Sequence, residues 1–217
     1  MKILLTLGAT MEPIDGVRFI TNFSSGKTGA GLADFLASKK HDVLALCGYY
    51  SAKPEKAKME IYQTFVDLNN KLKTILARKN FDIILHLAAV SDYSVDNILI
   101  DGKKYPAGKI PKINSSANLE IKLKKNFKIL DKIPSYAKNT PLIVGFKLTN
   151  GANKSEIKKA IAKVKANIVV HNDLKEIKKN KHTFYIYKTG KLTANCKNAE
   201  ELANIILKEK IHHAARA

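Results

Sequence analysis

The sequence has no tryptophan and only two cysteines, Cys47 and Cys196, among its 217 residues. Two cysteines are too few for the disulfide framework of a small secreted protein. No apolar run approaches the roughly 18–20 residues of a membrane-spanning helix. The N-terminus, MKILLTLGAT, has neither a basic leader region nor a small-residue cleavage site. We therefore expect a cytoplasmic protein with no membrane partner, in which Cys47 is a buried free thiol.

Arginine is also scarce, although the net charge is +19: all but Arg18, Arg78 and Arg216 of the 38 basic residues are lysine. Base reading and bidentate phosphate recognition favour arginine. The lysines are spread along the chain with little aromatic interleaving, as a composition bias would leave them. The charge leaves anionic small-molecule substrates open and argues against a nucleic-acid partner. The final residues, HHAARA, resemble a tag remnant and are given no functional role.

Apolar runs alternate with segments of helical periodicity, which is typical of a mostly parallel sheet covered by helices. Most of the apolar runs are continuous, as expected of strands that are buried on both faces. We expect a single α/β domain over residues 1–217, Rossmann-like, with helices on both faces of the sheet. The predicted strands are 2–7, 42–47, 81–88, 142–148, 166–172 and 183–188, and the predicted helices are 31–40, 68–79, 155–166 and 199–210.

Residues 93–126 interrupt this alternation with glycine, proline, serine, asparagine and several lysines. An irregular insertion of this length is usually either functional or disordered. Its lysines could close over an anionic ligand, so we expect a flap insertion over the active site. A solvated flexible loop is the alternative.

The tripeptide Gly26-Lys27-Thr28 matches the end of the Walker A signature of P-loop nucleotide-binding proteins. The full signature needs a glycine five positions before Gly26, and Thr21 stands there. The glycines of this stretch also lack the spacing of the dinucleotide-binding fingerprint. A P-loop is therefore not predicted, and Lys27 is expected to be dispensable. An NAD(P)-dependent oxidoreductase would rest on fold analogy alone.

The residues around this tripeptide nevertheless have the chemistry of an anion site. Ser24, Ser25 and Gly26 precede an amphipathic helix, where backbone N–H groups and the helix dipole favour a phosphate. An ordinary serine-capped helix start is the alternative. Two further turns, residues 7–10 and 88–93, follow predicted strands. Ligands of open α/β sheets bind beyond such strand ends, so we expect the three segments to converge.

Six longer motifs occur in order along the chain. They are GATMEPIDGVRFITNFSSGKTG (8–29), AAVSDY (88–93), KINSS (112–116), LEIKLKKNFKIL (119–130), VGFKL (144–148) and IVVHNDL (168–174). Together they resemble the phosphopantothenate–cysteine ligase family of coenzyme A biosynthesis. The chain lacks the flavin-dependent decarboxylase domain that is fused to many bacterial relatives. It therefore resembles the stand-alone bacterial type, which would work with a separate phosphopantothenoylcysteine decarboxylase.

The resemblance implies a ligase that joins 4′-phosphopantothenate and L-cysteine to 4′-phosphopantothenoyl-cysteine. A nucleoside triphosphate, with CTP favoured over ATP, activates the carboxylate as an acyl nucleotide (an acyl-cytidylate) with loss of pyrophosphate. The cysteine amine then releases CMP. Such chemistry depends on preorganised cations and N–H donors, together with Mg²⁺, for which no ligands are identified. The family also implies a homodimer.

The resemblance assigns roles to residues by their place in the motifs. Asn22 matches the asparagine that handles the acyl-nucleotide intermediate, and the catalytic flap lysine is Lys112 or Lys109, with Lys112 favoured. Arg18 is expected to bind the substrate phosphate across the dimer interface, with Asn22 and Ala89 also contacting substrate. The expected nucleotide-binding residues are Gly8, Ser24, Ser25, Gly26, Ala88, Asp92, Phe127, Lys128, Ile129, Leu130, Phe146 and Lys163.

Four positions depart from the family pattern. Ala9 replaces the second glycine of a Gly-Gly-Thr turn, and Phe127 replaces the usual proline before the base-contact turn. His86 stands where a small residue is common, and we interpret it as structural. Lys163 is about one position out of register with the family's helix lysines.

Overall fold

The structure is a computed structural model that describes residues 1–115, 118–177 and 182–214, with side chains as far as residue 211. The strands are β1 (Lys2–Leu7), β2 (Met11–Pro13), β3 (Phe19–Thr21), β4 (Asp42–Gly48), β5 (Lys58–Tyr62), β6 (Ile83–His86), β7 (Tyr93–Ile100), β8 (Lys103–Pro106), β9 (Leu119–Lys125), β10 (Leu142–Thr149), β11 (Ile168–Asp173), β12 (Phe184–Lys188) and β13 (Lys191–Cys196). The helices are α1 (Lys27–Ser38), α2 (Phe65–Arg78), α3 (Ile129–Tyr136), α4 (Lys154–Ala162), α5 (Leu174–Ile177) and α6 (Ala199–Ala214).

The central sheet has eight strands in the order β13-β12-β11-β10-β6-β1-β4-β5. The six strands from β11 to β5 in this order run parallel, and β12 and β13 are antiparallel. β1 lies between β4 and β6, so the strand order reverses there. This topology confirms the predicted Rossmann-like sheet and places its ligand crevice beyond the ends of β1 and β6.

The sheet is covered on both faces, which explains why its strands are continuous apolar runs. On one face, Leu5 packs in a cluster that includes Leu32 of α1 and Leu202 of α6. On the other face, Leu4 packs in a cluster that includes Leu72 of α2. Cys47 is a buried free thiol, as predicted, and burial raises its pKa to about 11. In the described part of the chain, no helix is long and apolar enough to cross a membrane.

The flap is more regular than the sequence indicated. β7, β8 and β9 form a three-stranded antiparallel sheet in the order β8-β7-β9, so the expectation of an irregular insertion was wrong for these segments. Ile98 and Ile113 give the flap a small core of its own, which also includes Ile14. The alternation of leucine and isoleucine with charged residues in LEIKLKK is a strand pattern, which the interpretation of 93–126 as an irregular insertion did not use.

Several predicted boundaries also differ from the structure. The strand predicted over 81–88 is confined to 83–86, and the helix predicted over 155–166 ends at Ala162. The predicted helices 31–40 and 68–79 begin earlier, at Lys27 and Phe65. The second of these starts where it does because the Thr64 side chain accepts a hydrogen bond from the Asp67 N–H.

Candidate functional site

The turns after β1 and β6 meet at the carboxyl edge of the sheet. The Ala89 N–H donates to the Gly8 carbonyl at 2.8 Å, and the Thr10 N–H donates to the Ala89 carbonyl at 3.4 Å. Gly8 has a φ of +84°, and a β-carbon on it would lie 2.6 Å from Cβ of Ser51. Glycine is required there on both counts. Two of the three segments that were expected to converge are therefore in direct contact.

Asn22 brings the third segment to the same place. Its Nδ2 donates to the carbonyls of Ala89, at 3.4 Å, and of Val90, at 3.3 Å. Because both partners are acceptors, the amide nitrogen must face them, which leaves Oδ1 as the atom available to a ligand. The Thr21 hydroxyl fixes the same strand end by donating to the Thr10 carbonyl at 2.8 Å. Asn22 itself is exposed.

Helix α1 begins directly after these residues without a side-chain cap. Its N-cap residue is Gly26, at φ 71°, and no side chain forms a capping hydrogen bond. The Lys27 N–H, the first of the helix, donates to Ser25 Oγ in a long hydrogen bond of 3.4 Å. The serine therefore precedes the cap position and does not form the ordinary N-cap of the alternative interpretation. Uncapped first-turn N–H groups are the donors that a phosphate uses at a helix N-terminus.

The loop after β4, residues 48–53, closes the crevice from the other side, and sequence reasoning missed it. The Ala52 N–H donates to the Ser25 carbonyl at 2.8 Å. A β-carbon on Gly26 would lie 2.6 Å from Cβ of Ser51. Lys53 holds the loop by donating from Nζ to the carbonyls of Gly48 and Ser51, both at 2.7 Å. The sequence signal for this loop was Gly48, which ends an apolar run in the same way as Gly8 does.

A small cavity of about 90 Å³ lies at this junction and is lined in part by Asn22, Ser24 and Tyr50. The Tyr50 ring stacks on Phe19 with centroids 5.8 Å apart. A larger cavity of about 360 Å³ is lined by residues that include Pro141, Ile143 and Asn167. These residues lie at the amino ends of β10 and β11, the opposite edge of the sheet. The smaller cavity is the one that belongs to the candidate site.

The predicted nucleotide residues around Asp92 and Phe127 are also neighbours. Nζ of Lys128 forms an ion pair with Asp92 Oδ1 at 2.5 Å, and the Asn126 N–H donates to the Asp92 carbonyl at 2.8 Å. The Phe127 ring packs edge-on against Phe65, with centroids 4.9 Å apart. The Ile129 side chain is buried, so a ligand at the start of α3 can meet only the backbone of that residue.

The two remaining nucleotide candidates lie on β10 and after α4. Phe146 is half-buried and packs against the core. The Lys163 side chain is exposed and, within the described residues, forms no hydrogen bond or ion pair. Its neighbour Val164 turns inwards: Cγ1 of Val164 and Cδ2 of Leu130 lie 3.0 and 2.8 Å from where a β-carbon of Gly145 would be. Val164, and not Lys163, therefore lies beside Gly145 of β10.

Arg18 lies in the turn of residues 14–18, which contacts the lysine-bearing segment of the flap. Nη1 of Arg18 donates to Asp15 Oδ2 at 2.8 Å, and both terminal nitrogens donate to the Ile113 carbonyl at 3.2 Å. Lys109 and Lys112 are exposed, and neither ammonium group forms a hydrogen bond or ion pair within the residues that the structure describes. Ser116 of the KINSS motif lies outside those residues. The structure therefore brings Arg18 to the lysine-bearing segment and joins neither lysine to Asn22.

His86 supports the crevice from inside the sheet. Its Nδ1 lies 2.9 Å from the Thr6 hydroxyl, and the same hydroxyl oxygen accepts a hydrogen bond from the Ala88 N–H at 3.2 Å. His86 is buried, and burial lowers its pKa to about 4. A neutral imidazole thus holds Thr6, which holds the turn that carries Ala88 and Ala89. This agrees with the structural interpretation of His86.

The buried imidazole predicts a loss of stability in mild acid. Between pH 6.5 and 4 the unfolded chain binds a proton at His86 that the folded chain does not. Lowering the pH over this window is therefore expected to reduce the free energy of unfolding by about 3 kcal/mol. Urea denaturation at pH 7.5 and pH 4.5 measures this difference. His41, His171 and His182 also have lowered pKa values, so His86→Gln should reduce the pH dependence without abolishing it. An unchanged pH dependence in that variant would contradict the assignment.

The structure defines an α/β protein with a candidate ligand crevice at the carboxyl edge of a mostly parallel sheet. The family model of the DNA/pantothenate metabolism flavoprotein C-terminal domain matches residues 1–213, and the chain belongs to this family. The coenzyme A biosynthesis bifunctional protein of Methanocaldococcus jannaschii is 32% identical over 187 residues, which are 84% of this chain and 42% of that protein. The chain thus spans about two fifths of the length of the curated relatives it matches.

Two solved structures show the same fold. The DNA/pantothenate metabolism flavoprotein from Streptococcus pneumoniae aligns with a TM-score of 0.82 at 25% identity, over 98% of this chain and 99% of the other. A mutant of the protein Cab2, solved in complex with phosphopantothenate-cysteine, aligns with a TM-score of 0.75 at 19% identity, over 99% of this chain and 88% of the other. The second likeness concerns the fold alone.

Proposed function

We propose that this protein is a phosphopantothenate–cysteine ligase, which joins 4′-phosphopantothenate and L-cysteine through an acyl-nucleotide intermediate. The observation that carries the proposal is the contact of Asn22 with Ala89 beside the uncapped start of α1. The contact supports the proposal, because an amide that could handle the acyl group would then neighbour a helix start that could bind phosphate. The family membership and the coenzyme A relatives support the same reaction.

Some residues of the crevice would bind phosphate, and others would act beside the reacting carbonyl. Backbone N–H groups at the start of α1, with the hydroxyls of Ser24 and Ser25, would bind phosphate oxygens. Oδ1 of Asn22 is an acceptor, so it would hold an N–H or O–H donor, such as the cysteine amine, beside the activated carbonyl. The start of α3, with Lys128, would contact the nucleotide, and the flap lysine would offset triphosphate charge as pyrophosphate leaves.

Mg²⁺ fits this scheme as an ion that enters with the triphosphate. In the described part of the chain, no group of three or more His, Cys, Asp or Glu side chains is placed to hold a metal ion. Magnesium is commonly held by substrate phosphates and only one or two protein carboxylates, and Asp92 is the candidate carboxylate here. When bound, the ion would neutralise charge on the phosphates.

The edge of the flap supports a homodimer as part of the proposal. Every residue of β9 is exposed, including Leu119, Ile121 and Leu123 at 38%, 36% and 48%. Among the strands that the structure describes, β9 pairs with β7 alone and forms an edge, and an exposed apolar edge is a template for pairing with a second chain. A second copy at this edge would lie next to the flap, where Arg18 could meet a substrate phosphate held by the partner.

The proposed reaction predicts a product that depends on all four components. The protein, incubated with 4′-phosphopantothenate, L-cysteine, Mg²⁺ and each nucleoside triphosphate in turn, should release pyrophosphate and a nucleoside monophosphate, fastest with CTP. Mass spectrometry should detect phosphopantothenoyl-cysteine only when cysteine is present. A reaction without cysteine is the control, because it should stop at the acyl nucleotide. The absence of any cysteine-dependent product with all four nucleotides would contradict the proposal.

A further inference from the structure

Asp15 is a buried carboxylate in the turn of residues 14–18, and the scheme above gives it no role. Its side chain is 0% exposed. Oδ1 accepts hydrogen bonds from the N–H groups of Val17, at 2.9 Å, and Arg18, at 2.7 Å. Oδ2 accepts from Nη1 of Arg18, at 2.8 Å, and from the Ile113 N–H, at 3.0 Å. Four donors thus converge on one side chain, and one of them, the Ile113 N–H, belongs to the flap.

This arrangement keeps Asp15 ionised. Burial alone would raise its pKa, but the hydrogen bonds from Ile113, Val17 and Arg18, with the charge of Arg18, hold the pKa below its ordinary value. A buried charge of this kind is retained only where it is well paired. The donors of Val17, Arg18 and Ile113 therefore depend on the ionised Asp15 carboxylate as their shared acceptor.

The same turn holds the whole lysine-bearing segment of the flap, residues 108–113. The Gly108 N–H donates to the Ile14 carbonyl at 2.9 Å, and the Gly16 N–H donates to the Ile110 carbonyl at 2.8 Å. These are backbone contacts, which many sequences could make. The contacts at Ile113 differ, because its N–H is bound by the Asp15 side chain and its carbonyl by the Arg18 side chain. Ile113 is therefore fixed at both backbone polar groups by residues of the turn.

We propose that Asp15 is a positioning residue for the flap lysine. It binds Ile113 directly, and it orients Arg18, which binds the Ile113 carbonyl. Lys112 precedes Ile113 in the chain, so the place from which its side chain can reach a ligand is set by this pair of contacts. The effect on catalysis rests on the proposed function, in which the lysine meets the triphosphate. The effect on the flap does not depend on it.

Asp15→Asn tests the inference with two measurements. Asparagine has nearly the same size but loses the charge and turns one acceptor into a donor, so the contacts at Ile113 weaken. Tryptic cleavage after Lys112 is then expected to be at least tenfold faster, while the cleavage rates at lysines outside the flap stay unchanged. In the ligase assay, the KM for the nucleoside triphosphate should rise about tenfold, with the KM for cysteine within twofold of wild type. A mere loss of folded protein would lower kcat and leave both KM values alone.

Asp34→Asn is the matched control, because Asp34 also pins a loop by accepting from the N–H groups of Glu55 and Lys56, at 3.1 and 2.7 Å. It should leave cleavage after Lys112 unchanged. If Asp15→Asn does not fold, Arg18→Gln releases the Ile113 carbonyl while Asp15 keeps its three backbone N–H donors, and it should give the same faster cleavage. Unchanged cleavage in the folded variants overturns the inference. If the wild-type protein has no ligase turnover, faster cleavage in the variants still supports the positioning role of Asp15. Only the proposed function is then contradicted.

Discussion

Asn22→Asp is expected to lower ligase turnover by about 10²–10³-fold, the range found when one preorganised group is removed from an acyl-transfer site. The structure gives the reason. Nδ2 of Asn22 is held by the carbonyls of Ala89 and Val90, and aspartate would place an oxygen against both of them. The side chain would turn away, and Oδ1 would no longer hold the cysteine amine beside the activated carbonyl. Because Asn22 is exposed, the fold should tolerate the change.

The measurements are single-turnover release of pyrophosphate, which reports acyl-nucleotide formation, and of nucleoside monophosphate, which reports attack by cysteine. The loss should fall mainly on the second step, so the variant should accumulate the acyl nucleotide. Asn70→Asp is a matched control, since Asn70 is an exposed asparagine on α2, away from the crevice. It should keep wild-type turnover. Wild-type turnover in Asn22→Asp would remove Asn22 from the site.

The sequence predicted the central sheet well because its strands are buried on both faces. A continuous apolar run such as KILLTL is typical of a strand that is buried on both faces. β1 begins and ends where that run does. The candidate site followed from the same physics: parallel strands bring the turns after β1 and β6 together. The approach of the turns that carry Gly8 and Ala89 could therefore be expected from the sequence.

The parts that were missed depend on contacts distant in sequence. The loop 48–53 reaches the site through Ser51, which packs against Gly8 and Gly26, and through the hydrogen bond from the Ala52 N–H to the Ser25 carbonyl. The role of Arg18 was drawn from motif position as a phosphate ligand in the partner's site, a prediction that stays open. Its contacts with Asp15 and Ile113 could not be read from the motif, because Ile113 lies 95 positions away. The flap sheet was also missed, because the many lysines of this segment obscure the alternation of leucine and isoleucine in β9.

The structure also sharpens the choice between the two flap lysines. Ile113 is bound through both its N–H and its carbonyl by side chains of the turn, whereas the described hydrogen bonds on either side of Lys109, at Gly108 and Ile110, are made with backbone groups. A cation that must meet a triphosphate reproducibly is better placed next to the fixed residue. Lys112 is therefore the stronger candidate.

Lys112→Gln is expected to reduce turnover by on the order of 10³-fold, the lower range for removing a cation that stabilises a phosphoryl-type transition state. Glutamine keeps much of the length of lysine but loses its charge. Lys109→Gln should cost less than tenfold if Lys112 carries the role. Lys27→Gln, at the exposed start of α1, makes the same chemical change in the Walker-like tripeptide and should leave turnover within twofold of wild type.

Pyrophosphate release under saturating CTP, phosphopantothenate and cysteine measures all three variants in one assay. A larger loss in Lys109→Gln than in Lys112→Gln would move the role to Lys109 and weaken the link between Asp15 and catalysis. A severe loss in Lys27→Gln would reopen the P-loop interpretation that Thr21 argues against. If Lys112 alone is sensitive, the turnover of this protein depends on a flap lysine whose neighbour is held by Asp15 and Arg18.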